Sequence, residues 1–360
     1  MTARIGVIGG GTFGINHLRA FRQLGYTGQA ELVALADVNE ELLRERLREF
    51  PIRGYTDYRE MLAQETLDGV TIVTPDHLHR EIAVTCARAG KHVLVEKPLD
   101  VTVAGCREIV DAAHQANVLL QVDFHKRYDP EHEQVQLAVR NGDLGDVLYG
   151  YAYMEDRIEV PVDWFPRWAG KSSPVWFLGV HFFDLVRWIL GCNAKRVFAT
   201  GQRQVLQAMG IETYDAVQTH VEFESGAAVC FETSWILPRG FEAVVNQGVR
   251  LVGSKGVWEV DTQERGARSC LEGSGMRTWN NSFLRSRTDK RGRPQFRGYG
   301  PESIEDFAHN INFLLAGGSL GELAGQHATG EDGLEVTKIA VAAHQSIARG
   351  EPVELATVDQ

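Results

Sequence analysis

Lys97 and His181 are the residues of this 360-residue chain with the chemistry to move charge and a proton at an alcohol oxygen. Lys97 belongs to the tripeptide Glu96-Lys97-Pro98, just past the apolar run His92-Val93-Leu94-Val95. An ammonium there hydrogen-bonds an oxygen that is gaining negative charge. His181 stands in Gly179-Val180-His181-Phe182-Phe183-Asp184, and imidazole titrates in the range a general base needs. Asp184, three residues on, shares its helical face and can orient the ring. A third group is Gly9-Gly10-Gly11-Thr12-Phe13-Gly14, in which Gly9, Gly11 and Gly14 fit GxGxxG after a short apolar strand. Gly9 permits the tight turn, Gly11 lets backbone approach a pyrophosphate, and Gly14 lets helix and strand pack closely. The following helix offers free N–H groups to the phosphates. Asp37 closes the second apolar run, 23 residues beyond Gly14 and near the ~20 expected of a ribose-binding acid. A carboxylate at that place repels a 2′-phosphate, so the expected cofactor is NAD, with NADP disfavoured.

The elements that must hold these groups alternate. Strand-like runs at residues 4–8, 32–36, 69–73, 92–95 and 118–122 are separated by helical patterns at 15–24, 40–50, 79–89 and 102–117. Such alternation predicts a parallel, doubly wound α/β sheet. Asp37, Thr74, Asp76, Glu96, Lys97, His125, Lys126 and Arg127 all fall at or just past the carboxyl ends of these strands. In an open α/β sheet, ligands bind along that edge. His125-Lys126-Arg127 reads either as a cationic corner for substrate hydroxyls or an anionic group, or as a charge cluster at a domain boundary. Beyond residue 124 the pattern changes. A helix is expected at 130–141 and a strand at 147–154, followed by an aromatic, turn-rich segment containing Trp164, Phe165 and Trp168. A helix over 175–190 leads to strand-like runs at 195–201, 215–224, 227–236, 242–252 and 256–260, whose short turns favour antiparallel neighbours. Trp168 is expected to face a substrate. Arg285, Arg287, Lys290, Arg291, Arg293 and Arg297 form a basic stretch broken by Gly292 and Pro294, read as a loop that is solvated or reaches over a ligand or neighbouring subunit.

Taken in order, these motifs resemble the Gfo/Idh/MocA family of glucose–fructose oxidoreductase and inositol dehydrogenase relatives. The resemblance rests on Gly9 to Gly14, Asp37, Thr74-Pro75 with His79 beyond, and Glu96-Lys97-Pro98. It extends through Arg127-Tyr128, Gly179-x-His181-x-x-Asp184 and the C-terminal Gly350-Glu351-Pro352. It implies a Rossmann dinucleotide-binding domain over residues 1–124. A substrate-binding and oligomerisation α/β domain over 125–360 follows, with a large, mostly antiparallel open sheet. It also implies that Gly9, Gly11, Thr12, Phe13, Gly14, Asp37, Thr74, Pro75, His79, Glu96, Lys97 and Arg127 bind cofactor. Lys97, His125, Lys126, Trp168 and His181 would bind substrate, with Lys97, His181 and Asp184 catalytic. The family commonly has a cis bond before the proline of Glu-Lys-Pro. Its members act on sugars, polyols and derivatives, and a homodimer or homotetramer is expected.

Two departures stand out. The family's dehydrogenases usually carry an aspartate four residues before the histidine, where this chain has Phe177; and Asp76 replaces a more frequent asparagine. Two other readings stand beside the dehydrogenase: an NAD-dependent glycoside hydrolase acting by transient oxidation, which the resemblance admits but no residue here selects, and a catalytically silent NAD- or sugar-sensing protein, which Phe177 supports. Composition narrows the field further. With 37 basic and 48 acidic residues the net charge is −11, unsuited to nucleic acid or anionic membrane. No apolar run approaches the ~18 residues of a spanning helix, and the N-terminus lacks a signal-peptide layout. Five scattered cysteines, with no CxxC pair, are expected to be reduced thiols of a cytoplasmic protein, and no metal site is expected.

Overall fold

The computed structural model describes residues 1–166, 168–261, 267–271 and 275–358. In chain order the first elements are β1 (Ala3–Ile8), α1 (Gly14–Gly25), β2 (Ala30–Ala36), α2 (Glu40–Glu49), β3 (Arg53–Tyr55), α3 (Tyr58–Gln64), β4 (Gly69–Ile72), α4 (His79–Arg88), β5 (His92–Glu96), α5 (Val103–Ala116) and β6 (Leu120–Asp123). The six strands form one parallel sheet in the order β3-β2-β1-β4-β5-β6. Ile8, the last residue of β1, pairs with Ala36 on one side and Ile72 on the other, so those strands end level. Local chemistry sets the helix starts. Asn39 caps α2 by accepting from the Glu41 and Leu42 N–H groups, and Thr102 Oγ1 caps α5 by accepting from Gly105 N; each such cap is worth about 1 kcal/mol. Asn117, at φ 51°, ends α5.

The chain then forms α6 (Pro130–Arg140), β7 (Val147–Arg157), α7 (Val180–Leu190), β8 (Ala194–Gln202), α8 (Val205–Ala208), β9 (Ala216–Phe223), β10 (Ala228–Leu237), β11 (Val245–Gly253), β12 (Val257–Asp261), β13 (Ala267–Leu271) and β14 (Gly275–Trp279). The remaining elements are β15 (Arg285–Thr288), β16 (Pro294–Arg297), α9 (Tyr299–Leu315), α10 (Gly330–Arg349) and β17 (Val353–Glu354). A seven-stranded sheet runs β12-β11-β7-β10-β9-β8-β17, antiparallel except where β7 meets β10. This is the mostly antiparallel second sheet that the family resemblance implies.

Two compact units result, and they do not follow a linear division at residue 124. One comprises Met1–Tyr128 with Phe283–Leu334, the other Asp129–Ser282 with Glu335–Gln360. In the first, Phe307 and Ile311 of α9 are fully buried with Ile5, Val7, Leu18 and Phe21. In the second, Phe183 of α7 packs edge-on against Phe231 of β10, ring centres 4.9 Å apart. The basic stretch expected as a loop is instead the hairpin β15–β16, whose ends pair Arg285 with Arg297 and Thr288 with Pro294. Asp289 closes its turn, accepting from the backbone N–H groups of Arg291 and Arg293. The helix expected over 175–190 is also divided: residues Val175–Gly179 form a π-helical turn before α7. Among the described residues no helix is long and apolar enough to cross a membrane.

Candidate active site

In the first unit the glycine turn is shaped by its packing. Gly9 has φ 100°, and a Cβ there would lie 2.3 Å from the Val73 carbonyl oxygen; a Cβ on Gly14 would lie 2.1 Å from the Gly9 carbonyl oxygen. Neither position admits a side chain. A Cβ on Gly11 would meet nothing within 4 Å, so the turn is tight on its protein side and open at Gly11. α1 starts at Gly14 with no side-chain cap on its N-terminus, the arrangement in which a phosphate oxygen serves as cap. Phe13 is 37% exposed beside it. Asp37 Oδ2 accepts from Gly10 N at 2.7 Å and Oδ1 from Asn39 N at 2.8 Å. The acid at the end of β2 is thereby tied to the same turn, and these residues fit a dinucleotide: a cradle closed to side chains, with a fixed carboxylate alongside.

The ends of β4 and β5 are joined by His79. Its Nδ1 lies 2.8 Å from the Pro98 carbonyl oxygen and its Nε2 2.9 Å from that of Thr74, with the ring 1% exposed. His79 therefore faces main chain on both sides, between Thr74-Pro75 and the Lys97-Pro98 bond, which is cis. Lys97 is half-buried, and its backbone N–H donates to Glu96 Oε2 at 3.2 Å. Asp76 is buried and accepts from His77 N.

The expected cationic corner is more enclosed than its composition implies. His125 stacks on Tyr299 at 5.7 Å and approaches Phe283 at 5.5 Å. Lys126 is 1% exposed, its Nζ 6.0 Å from the Tyr299 ring centre. Arg127 Nη1 pairs with Asp332 Oδ2 at 3.1 Å. A pattern of three successive basic residues carries no sign of the aromatic shelf that α9 brings.

In the second unit His181 and Asp184 are buried on α7. Phe177 stands in the π-helical turn, which changes the register between it and His181. Its ring is part of an aromatic cluster, with centres 5.4 Å from Trp168, 5.7 Å from Phe165 and 5.8 Å from Trp235. Trp235 is 1% exposed, and among the described residues its Nε1 has no hydrogen-bond partner. Sequence reading brought out Trp168 but missed Trp235, which lies 58 residues beyond Phe177 on β10 and is joined to it only by tertiary packing.

A parallel sheet with a side-chain-free glycine cradle, a carboxylate on the cradle and a lysine at the end of β5 defines a dinucleotide-dependent oxidoreductase. The chain belongs to the Gfo/Idh/MocA family. Residues 3–124 match the model described as oxidoreductase family, NAD-binding Rossmann fold, and residues 132–259 match the GFO/IDH/MocA C-terminal domain. Myo-inositol 2-dehydrogenase of Thermotoga maritima is 30% identical over 255 residues, 70% of this chain and 73% of that protein. Inositol 2-dehydrogenase of Rhizobium meliloti is 27% identical over 360 residues, 99% of this chain and all of that protein. Among solved structures, a probable dehydrogenase from Thermotoga maritima superposes with a TM-score of 0.78 at 26% identity, covering 99% of each chain. Scyllo-inositol dehydrogenase from Lactobacillus casei, solved with NAD(H) and scyllo-inositol, shares the fold at 21% identity and a TM-score of 0.76, covering 99% of this chain and all of that one. The protein is an NAD-dependent oxidoreductase.

Proposed function

We propose that the protein oxidises a secondary hydroxyl of a polyol or sugar, in the inositol class its relatives are named for. The observation that carries this reading is Lys97 at the carboxyl end of β5, in the same sheet as the cradle of Gly9, Gly11 and Gly14 and the Asp37 carboxylate. In this reading Gly11, Thr12, Phe13 and Asp37 hold the dinucleotide, with Thr74, Pro75 and Arg127 completing its surroundings. His79 and Glu96 position the Lys97 segment. When bound, NAD supplies acceptance of a hydride. Lys97 donates a hydrogen bond to the substrate oxygen and stabilises its developing charge. His181 takes the hydroxyl proton, and Asp184 orients it from the same helix. Trp168 offers an aromatic face to the ring of the substrate, and His125 and Lys126 are further substrate contacts.

The test is a panel of inositols, other polyols and sugars, followed at the nicotinamide absorbance band. At least one polyol should reduce NAD. His181→Ala should lower kcat by about 10²–10⁴-fold with NAD affinity unchanged. Lys97→Ala should lose a comparable amount and also raise KM. Full activity of His181→Ala on a genuine substrate would overturn its role. Turnover of a glycoside without change in nicotinamide absorbance would favour hydrolysis instead.

The assembly we propose is a homodimer or homotetramer through the outer face of the seven-stranded sheet. Tyr149 and Tyr151 of β7 and Phe198 of β8 are exposed there, and apolar side chains left on a sheet face mark an interaction surface. Light scattering of Tyr151→Glu against wild type reads the association. The five cysteines are free, in keeping with a reducing, cytoplasmic setting.

A further inference from the structure

One turn into α1, three elements bring together side chains that none of the steps above places at the reacting atoms. His17 projects from α1, Glu96 closes β5 and Asp123 closes β6. His17 Nε2 lies 3.3 Å from Glu96 Oε1 and 3.8 Å from Asp123 Oδ2, and one donor atom from each residue lies within 4.8 Å of the other two. All three are buried, His17 to 1% exposure and Asp123 to 3%. Among the described residues Asp123 Oδ1 has no hydrogen-bond partner. A cavity of about 20 Å³, lined by Phe13, Asn16, His17, Glu96, Asp123 and Pro301, adjoins them; that is room for one water-sized occupant.

Two carboxyl groups facing one imidazole in this space are short of positive charge. Nε2 is the His17 nitrogen that faces both carboxylates, and an imidazole nitrogen is a common ligand of transition metals. We infer that His17, Glu96 and Asp123 form a site for one divalent transition-metal ion of the zinc class, with one nitrogen and two oxygen donors and a water in the adjoining cavity. Ligands about 2.0–2.2 Å from a tetrahedral zinc stand roughly 3.3–3.6 Å apart; from His17 Nε2 one carboxylate oxygen lies within that range, at 3.3 Å, and the other just beyond it, at 3.8 Å. The mixed donor set favours zinc or cobalt over magnesium or calcium, which take oxygen ligands. Metal ligands bind in their deprotonated forms, so any proton the donor groups carry leaves to solvent as the ion enters.

This inference does not depend on the polyol reading, and its test reads metal directly. The full-length protein, freed of metal by a chelator, is titrated with Co²⁺ and then displaced with Zn²⁺, following the visible cobalt bands and the heat of binding. One equivalent per chain is expected. His17→Ala and Asp123→Asn should each weaken binding by at least roughly 10–100-fold, the loss that follows removal even of a group hydrogen-bonded to a ligand. X-ray absorption of the zinc-loaded wild type should show one imidazole among oxygen neighbours, which keeps the inference testable if a variant fails to fold. No stoichiometric binding, unaltered binding in both variants, or a sulfur-containing ligand set would each overturn it.

Discussion

Asp37 shows how far a single residue can be read from sequence and where that reading stops. Its distance from Gly14 announces a ribose-binding acid, but spacing says nothing of the bonds from Gly10 N and Asn39 N that fix its two oxygens. Those bonds decide which substitution is informative. Asp37→Asn keeps a side-chain carbonyl oxygen for one of the N–H groups while removing the charge. NADP(H) affinity should therefore rise relative to NAD(H) by at least about tenfold, since one unit charge facing a phosphate a few ångströms away is worth more than ~1.4 kcal/mol in a partly buried site. Fluorescence titration with both cofactors reads it, and an unchanged ratio would remove Asp37 as the source of selectivity. Phe177 is the opposite case. Sequence shows only that an expected carboxylate is missing; the structure fills its place with a cluster of Phe165, Trp168 and Trp235. Phe177→Asp puts a charge among these rings with no partner in their chemistry. It should lower stability by about 2 kcal/mol or more and bring no gain in kcat on a polyol. Denaturant unfolding and steady-state rates check the two halves, and increased turnover would show that the cluster is a handicap to catalysis.

Elements with strong local signals were legible and those held by tertiary contact were not. The β/α alternation of the first 124 residues carries caps, glycine stops and apolar runs, so it reads directly as a parallel sheet. The hairpin β15–β16 has none of this. All four residues of β15 are exposed, so no alternation betrays the strand, and Gly292 and Pro294 read as loop formers. What orders it is Gln23 on α1, whose amide nitrogen donates to Phe296 O at 3.0 Å and whose oxygen accepts from Phe296 N at 2.6 Å. The same amide nitrogen donates to Glu305 Oε1 on α9, also at 2.6 Å. Burial raises the Glu305 carboxyl from 4.5 to about 7, with Arg297 and the Gln23 bond opposing and Glu302 adding to it. The folded chain thus keeps a proton that the unfolded chain has lost between about pH 4.5 and 7. Stability from this group is present below that window and falls as pH rises through it. Glu305→Gln retains an acceptor for Gln23 and removes the titration. Urea unfolding at pH 5 and pH 8 should show a smaller loss on going to pH 8 in the variant than in wild type. Equal losses would mean that Glu305 is ionised across the range.

At the scale of the whole molecule, the sequence suggests two domains in succession, whereas the compact unit carrying the glycine cradle also takes in Phe283–Leu334. The return of the chain is invisible to local pattern because α9 is an ordinary amphipathic helix; only its burial against Ile5, Val7 and Leu18 assigns it to that sheet. This division has an optical consequence. All seven tryptophans, from Trp164 to Trp279, lie within Asp129–Ser282. The unit that holds the cofactor cradle has none. Far-UV circular dichroism therefore follows both units on heating, while tryptophan emission follows only the other. A ligand that binds the native state alone stabilises it by about 2.7 kcal/mol at 100 times its Kd, which moves a midpoint by several degrees in a unit of this size. Saturating NAD should raise the dichroism midpoint by that amount, and the tryptophan midpoint should rise by the same amount or less. A shift confined to the tryptophan signal, or absent from both, would place the cofactor outside the unit built around Gly9, Gly11 and Gly14.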